Sequence, residues 1–237
     1  MRQCDAASSP RRCPRPCRTG AFSKRHAEVL LPEECDQLLD SLEVHNRRRS
    51  AGSRNFFTVP VVRKLANDHR LISIAQEYLG GNALPYKATL FDKSEDCNWL
   101  VVWHQDRVLP LEEPILDPSF GPWTTKDGLR YAQAPAWALQ QIVALRLHLD
   151  ESTRDNGPLR VIPRSHALGL LEQSEVVRQA RKVMPVTCAV PKGGVIAMRP
   201  LLIHSSQKST TSARRRVIHI EYSTNLQLSD TVRLTLS

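Results

Sequence analysis

The chain has 237 residues, 41% of them hydrophobic, enough to bury one sizeable core without requiring a second domain. No apolar run approaches the ~20 residues that cross a bilayer, which excludes a transmembrane helix and argues for a soluble, cytoplasmic protein with no membrane partner. The net charge of +9 is uneven: residues 1–25 carry seven basic side chains against Asp5 alone, and a basic tail on a near-neutral body is weak support for a nucleic-acid partner.

In chain order, residues 1–25 are rich in Arg, Pro and Ser without an apolar period and are expected to be a disordered tail. The tail reads either as an organelle transit peptide or as the product of an upstream translation start. Residues 26–237 are expected to form one domain. Cys4, Cys13, Cys17, Cys35, Cys97 and Cys188 include no CxxC pair and read as free thiols. A helix is predicted from Pro32, with Glu33 and Glu34 at its positive end and Cys35, Leu38, Leu39 and Leu42 on one face. A second carries Leu71, Ile74, Ala75 and Tyr78 and stops at Gly80-Gly81.

From Ala83 the pattern turns to strands, over 84–92, 99–106, 141–149, 159–163, 185–190, 194–199, 201–206 and 216–223. The fold class is therefore mainly β with covering helices, a barrel or double-sheet jelly roll. Val143, Leu145, Leu147 and Leu149 alternate with Ala144, Arg146 and His148; Ile218, Ile220 and Tyr222 alternate with Arg215, Val217 and His219. One face should meet the helices and the other a cavity. Residues 107–140 read as a Pro-rich functional loop rather than strands, and 172–183 as a short exposed helix.

The chemistry centres on Trp103-His104-Gln105-Asp106. On a strand, His104 and Asp106 point to one side, presenting an imidazole and a carboxylate together. His204 ends a second apolar strand, and two histidines with one carboxylate form the facial triad of non-haem Fe(II) oxygenases. Arg215 follows eleven residues later; antiparallel pairing of 201–206 with 216–223 would bring it near His204, where its guanidinium could grip a dicarboxylate.

The motifs WHQD at 103–106, NGPLRVIPRSH at 156–166, RPLLIHSS at 199–206 and the arginine at 215 resemble the phytanoyl-CoA dioxygenase (PhyH) family of Fe(II)/2-oxoglutarate-dependent oxygenases, over roughly residues 84–223. The resemblance implies a double-stranded β-helix, a cupin-like barrel, with His104, Asp106 and His204 as iron ligands. It implies that Arg215, helped by Ser206, holds the distal carboxylate of 2-oxoglutarate, with Gln105 and Thr89 as further cosubstrate contacts. Arg54 aligns loosely with another basic contact. The implied reaction uses O2 to hydroxylate a small-molecule C–H bond, releasing succinate and CO2, and Asp106 favours hydroxylation over halogenation. The chain departs from the family pattern at Arg146, where Trp is common, at Arg164, where Gly is common, and at Ser205, where Gly or Ala is common.

Arg146 reads either as a partner for an acidic substrate or cosubstrate group or as a structural pair with Asp92, Asp150 or Glu221. Trp123, Tyr131 and Trp137 read either as lid aromatics around substrate or as loop packing. Asn156-Gly157-Pro158 reads as a turn, His166 as a surface or packing residue, His148 and His219 as satisfied interior histidines, and Lys93 as solvated. The competing functions are a metalloenzyme of the same barrel that does not use 2-oxoglutarate, a binding protein without turnover, and a nucleic-acid module acting through the tail. The sequence selects no substrate and no oligomeric state.

Overall fold

The computed structural model describes residues 23–43 and 52–237, so residues 1–22 of the expected tail lie outside the described residues. The chain opens with β1 (Ser23–His26), α1 (Pro32–Glu43), β2 (Gly52–Ser53), α2 (Pro60–Ala66), α3 (His69–Leu79), β3 (Leu84–Lys93) and β4 (Val101–His104). Next come β5 (Val108–Pro110), β6 (Trp123–Lys126), β7 (Leu129–Gln133), α4 (Ala136–Leu139), β8 (Ile142–His148) and β9 (Leu159–Val161). It closes with α5 (Gln173–Lys182), β10 (Val186–Cys188), β11 (Val195–Met198), β12 (His204–Ser206), β13 (Arg215–Ser223), β14 (Gln227–Ser229) and β15 (Val232–Arg233).

Two antiparallel sheets form the body. The major sheet has the order β1-β11-β8-β13-β3-β2 and the minor sheet β10-β9-β12-β4. Helices cover the outer face of the major sheet, as the alternation predicts. Val143, Leu145, Leu147, Ile218, Ile220 and Tyr222 share one buried cluster with residues of α1, α2 and α3. The helix ends follow their local chemistry. Asp68 accepts from the Arg70 backbone N–H at 2.9 Å to cap α3, and Gly80 ends that helix at φ 71°. Arg70 also grips Glu34 with two hydrogen bonds, tying α3 to α1. Among the described residues no helix is long and apolar enough to cross a membrane.

Three expectations are corrected. Residues 23–25 belong to β1, which pairs with β11 and lengthens the major sheet. Residues 107–140 are not a strandless loop: β5, β7 and β6 form their own sheet. Leu109, Leu111, Phe120 and Leu139 pack there against Leu228, Val232 and Leu234. Its partner is the C-terminal segment, bridged at Leu111 and Leu234, so pairing far along the chain supplies the order that these short strands lack alone. Finally, β12 and β13 do not pair with each other. Strand β12 lies between β9 and β4 in the minor sheet, and β13 lies between β8 and β3 in the major one. Arg215 and His204 thus face one cavity from opposite sheets.

Candidate metal centre and its cavity

His104 ends β4, His204 begins β12, and the two are direct cross-strand partners. Their ring centroids lie 4.1 Å apart. Each Nδ1 sits 2.8 Å from a backbone oxygen two residues back, Val102 O for His104 and Leu202 O for His204. A carbonyl oxygen can only accept, so each Nδ1 carries the proton and each Nε2 keeps its lone pair. Asp106 turns back toward both, its Oδ1 3.5 Å from His104 Nε2 and its Oδ2 3.6 Å from His204 Nε2.

The three donor atoms lie within 4.8 Å of one another, a group that could hold a metal ion. Burial pushes His204 down to about 4. Burial also opposes ionisation of Asp106, yet the two imidazoles, His204 foremost, hold the carboxyl well below the usual carboxylate range. In His104 burial lowers the pKa, but the hydrogen bond and charge of Asp106 outweigh it and the net shift is upward. Two nitrogen lone pairs and a carboxylate on one side of an open cavity suit a ferrous ion with exchangeable positions left free. Gln105 braces this corner: its amide donates to Gly169 O and Leu201 O and accepts from the Leu171 N–H. It lines the cavity, but both amide hydrogens are spent on backbone.

The cavity has a volume of about 400 Å³, within the range of small-molecule sites. Its far wall is the inner face of the major sheet. Of three consecutive arginines there, Arg214 takes the Asp92 carboxylate and Arg216 takes Asp150. Alternation points Arg215 the other way. It is buried, its Nε donates to Asn156 O at 3.2 Å, and no carboxylate of the described residues makes an ion pair with it. Burial, reinforced by Arg146, pushes its guanidinium down to about 9.

Lys93 is opposite Arg215 in the register and is 1% exposed, which corrects the solvated reading. Its Nζ donates to Ser206 Oγ at 2.9 Å and to Gln207 O, and burial pushes it down to about 8. Ser206 Oγ in turn donates to Gly157 O. Gly157 stands at φ +69°, and a Cβ there would lie 2.5 Å from Gln207 O and 2.8 Å from Lys93 Nζ, so only glycine lets the turn close over the lysine.

The remaining expected residues separate. Thr89 lines the cavity beside Arg146 and His219. Arg54 is exposed at an adjoining pocket of about 310 Å³ that shares Lys87, Thr89, Phe91, Trp99 and Val108 with the main one. Trp123 lines neither and packs on the cluster under the β5–β7 sheet, so packing is its observed role. Arg146 has none of its three candidate acids, because Lys87 and Tyr86 both bond to Glu221 and the other two hold Arg214 and Arg216. His219 is satisfied, accepting from Arg146 at Nδ1. His148 is not: it is fully buried and, among the described residues, neither ring nitrogen has a partner, contrary to expectation. Arg164 adopts φ 65°, the left-handed backbone that explains why glycine suits its position. Sequence reading took Lys93 as solvated and named Glu221 only as a possible structural partner of Arg146, giving neither a place in the cavity. The signal for Glu221 was available, a carboxylate two residues beyond His219 on the same strand face.

Residues 24–217 match the family model described as Phytanoyl-CoA dioxygenase (PhyH). The chain is 28% identical over 180 residues to L-proline trans-4-hydroxylase of Streptomyces griseoviridis, covering 64% of this chain and 59% of that protein. It is 28% identical over 150 residues to ectoine dioxygenase of Sphingopyxis alaskensis, covering 62% of this chain and 42% of that protein. It thus spans roughly half the length of these curated relatives. The crystal structure of EctD from S. alaskensis with 2-oxoglutarate and 5-hydroxyectoine superposes with a TM-score of 0.64 at 18% identity, over 85% of this chain and 72% of that one, which supports the double-stranded β-helix. The chain belongs to the phytanoyl-CoA dioxygenase family.

Proposed function

We propose that this protein is an Fe(II)- and 2-oxoglutarate-dependent dioxygenase that hydroxylates a C–H bond of a small molecule, with release of succinate and CO2. One observation carries the reading: two histidines with free Nε2 lone pairs and an ionised Asp106 converge at one side of a cavity whose opposite sheet presents a buried arginine without a carboxylate. With iron and 2-oxoglutarate bound there, O2 would be the oxidant, one of its atoms passing to succinate as 2-oxoglutarate loses CO2 and the other into the C–H bond of the substrate. His104, Asp106 and His204 hold the metal on one face. Arg215, with Lys93 and Ser206 beside it, binds the distal carboxylate and orients the cosubstrate.

The cavity walls carry Lys87, Arg107, Arg146 and Arg215 against Asp106 and Glu221. A doubly charged cation and a dianionic cosubstrate leave that positive excess unchanged, which favours a prime substrate with an acidic group. The test is succinate formation from 2-oxoglutarate by purified protein with and without Fe(II). Iron-dependent succinate release that disappears in His104→Ala supports the reading, and its absence from the wild-type protein refutes it.

A further inference from the structure

Arg146 is 8% exposed and lines the cavity, yet among the described residues it makes a single hydrogen bond, Nη1 to His219 Nδ1 at 3.2 Å. Its buried Nε has no partner. Asp106 attracts it through space but makes no ion pair with it and faces the two histidines, and a buried guanidinium with no carboxylate in direct contact is costly, which leaves its free donors suited to an anion from outside the chain. The protein holds this group in place. Its guanidinium lies over the Phe91 ring at 5.1 Å. Because Arg146 can only donate, His219 Nδ1 must accept, leaving the proton on Nε2, which faces Glu221 Oε1 at 3.5 Å. Glu221 is itself fixed by Tyr86 Oη at 2.5 Å and Lys87 Nζ at 2.7 Å. Glu221 is thereby neutralised by Lys87 and orients the histidine without cancelling the arginine.

We infer that Arg146 is the recognition point for a carboxylate on the prime substrate, with His219 and Glu221 as its positioning residues. The assignment rests on the oxygenase reading above. Cosubstrate and substrate would then be anchored from different positions of the sheet, although the two guanidinium charges still act on each other. His219, the cross-strand partner of Arg146, stands four residues from Arg215 on β13, about 13 Å along the strand. With Nη1 engaged on His219, Nη2 and the second Nη1 hydrogen remain for a planar carboxylate in the end-on bidentate mode.

The test is calorimetric titration of benzoate, and of benzamide as its uncharged counterpart, into the anaerobic Fe(II) protein saturated with 2-oxoglutarate. Benzoate should bind roughly tenfold or more tightly than benzamide. Arg146→Gln should level the two while leaving 2-oxoglutarate affinity within about twofold. Arg146→Lys keeps the charge and should retain part of the preference, covering the case in which the glutamine variant fails to fold. Equal binding of the two probes by the wild-type protein, including no binding of either, would overturn the assignment. So would a preference that survives Arg146→Gln, or a tenfold or greater loss of 2-oxoglutarate affinity in that variant, which would make Arg146 a cosubstrate contact. Failure of the oxygenase reading shows separately, as wild-type protein that binds no 2-oxoglutarate when Fe(II) is present. The benzoate preference is then read without cosubstrate and stands or falls on Arg146 in the same way.

Discussion

The two buried arginines of the cavity wall are kept cationic in different ways. Arg215 is braced by a backbone oxygen, Asn156 O, and shares its corner with a second buried cation, Lys93. Arg146 is held by a side-chain relay through His219 to Glu221. In both cases the nearby acids face elsewhere or are already taken: Asp92 by Arg214, Asp150 by Arg216 and Glu221 by Lys87. A binding site for anions is thus made as much by pairing off the carboxylates as by placing the arginines. The corner braced by backbone should be rigid and tolerate little change, whereas the relay can be retuned by side-chain substitution.

The largest effect should come from removing what both arginines serve. His204→Ala should abolish iron-dependent turnover and reduce bound iron to trace levels by metal analysis; full iron stoichiometry in that variant would remove His204 from the ligand set. Arg215→Met should keep the iron but raise the 2-oxoglutarate KM. Loss of a charge-assisted contact costs about 2–3 kcal/mol, or roughly 30- to 150-fold. An unchanged KM would break the division of labour between the two arginines. Gly157→Ala forces a side chain into a left-handed turn against Gln207 O and Lys93, and strain of this kind costs about 1–3 kcal/mol. The expected result is a melting temperature several degrees lower with a higher 2-oxoglutarate KM, and an unshifted melt would show that the corner yields easily.

The smallest effect concerns pH. Lys93 has a folded pKa of about 8 against an ordinary 10.5, so between those values the unfolded chain holds more protons than the folded one. Wild-type stability relative to Lys93→Met should therefore rise as pH climbs through that window, because the cost of a buried ammonium is present below about 8 and fades above it. Thermal melts of both proteins from roughly pH 7 to 10 would show this, and a constant difference would refute a buried charge.

Much of this was legible in the sequence because it is local. The period-two alternation over 143–149 and 218–222 carries the sheet faces, and His104 and Asp106 stand together because of strand spacing. What was not legible depends on partners far along the chain. The strand signal at 201–206 and 216–223 says nothing about which sheet each joins, so their direct pairing was a reasonable expectation and incorrect. The short strands of 107–140 are ordered by a C-terminal segment more than ninety residues away. Lys93 borders the polar stretch Ser94-Glu95-Asp96 and reads as solvated; Ser206 of the minor sheet, Gly157 of the turn before β9 and the Trp99 ring cover it. The same limit applies to Arg146, whose three plausible acids could be eliminated only once each was seen with another cation.

His104 and His204 are a hundred residues apart in sequence yet face each other across one rung of the minor sheet. An ion held between them would act as a staple on that rung, closing a loop of about a hundred residues that includes the β5–β7 sheet, β8, β9 and α5. Metal affinity and the integrity of this part of the barrel are then one linked quantity, since ligand binding to the folded form alone adds to its stability. Iron supply would set how long the protein survives unfolding and proteolysis, as well as how fast it turns over.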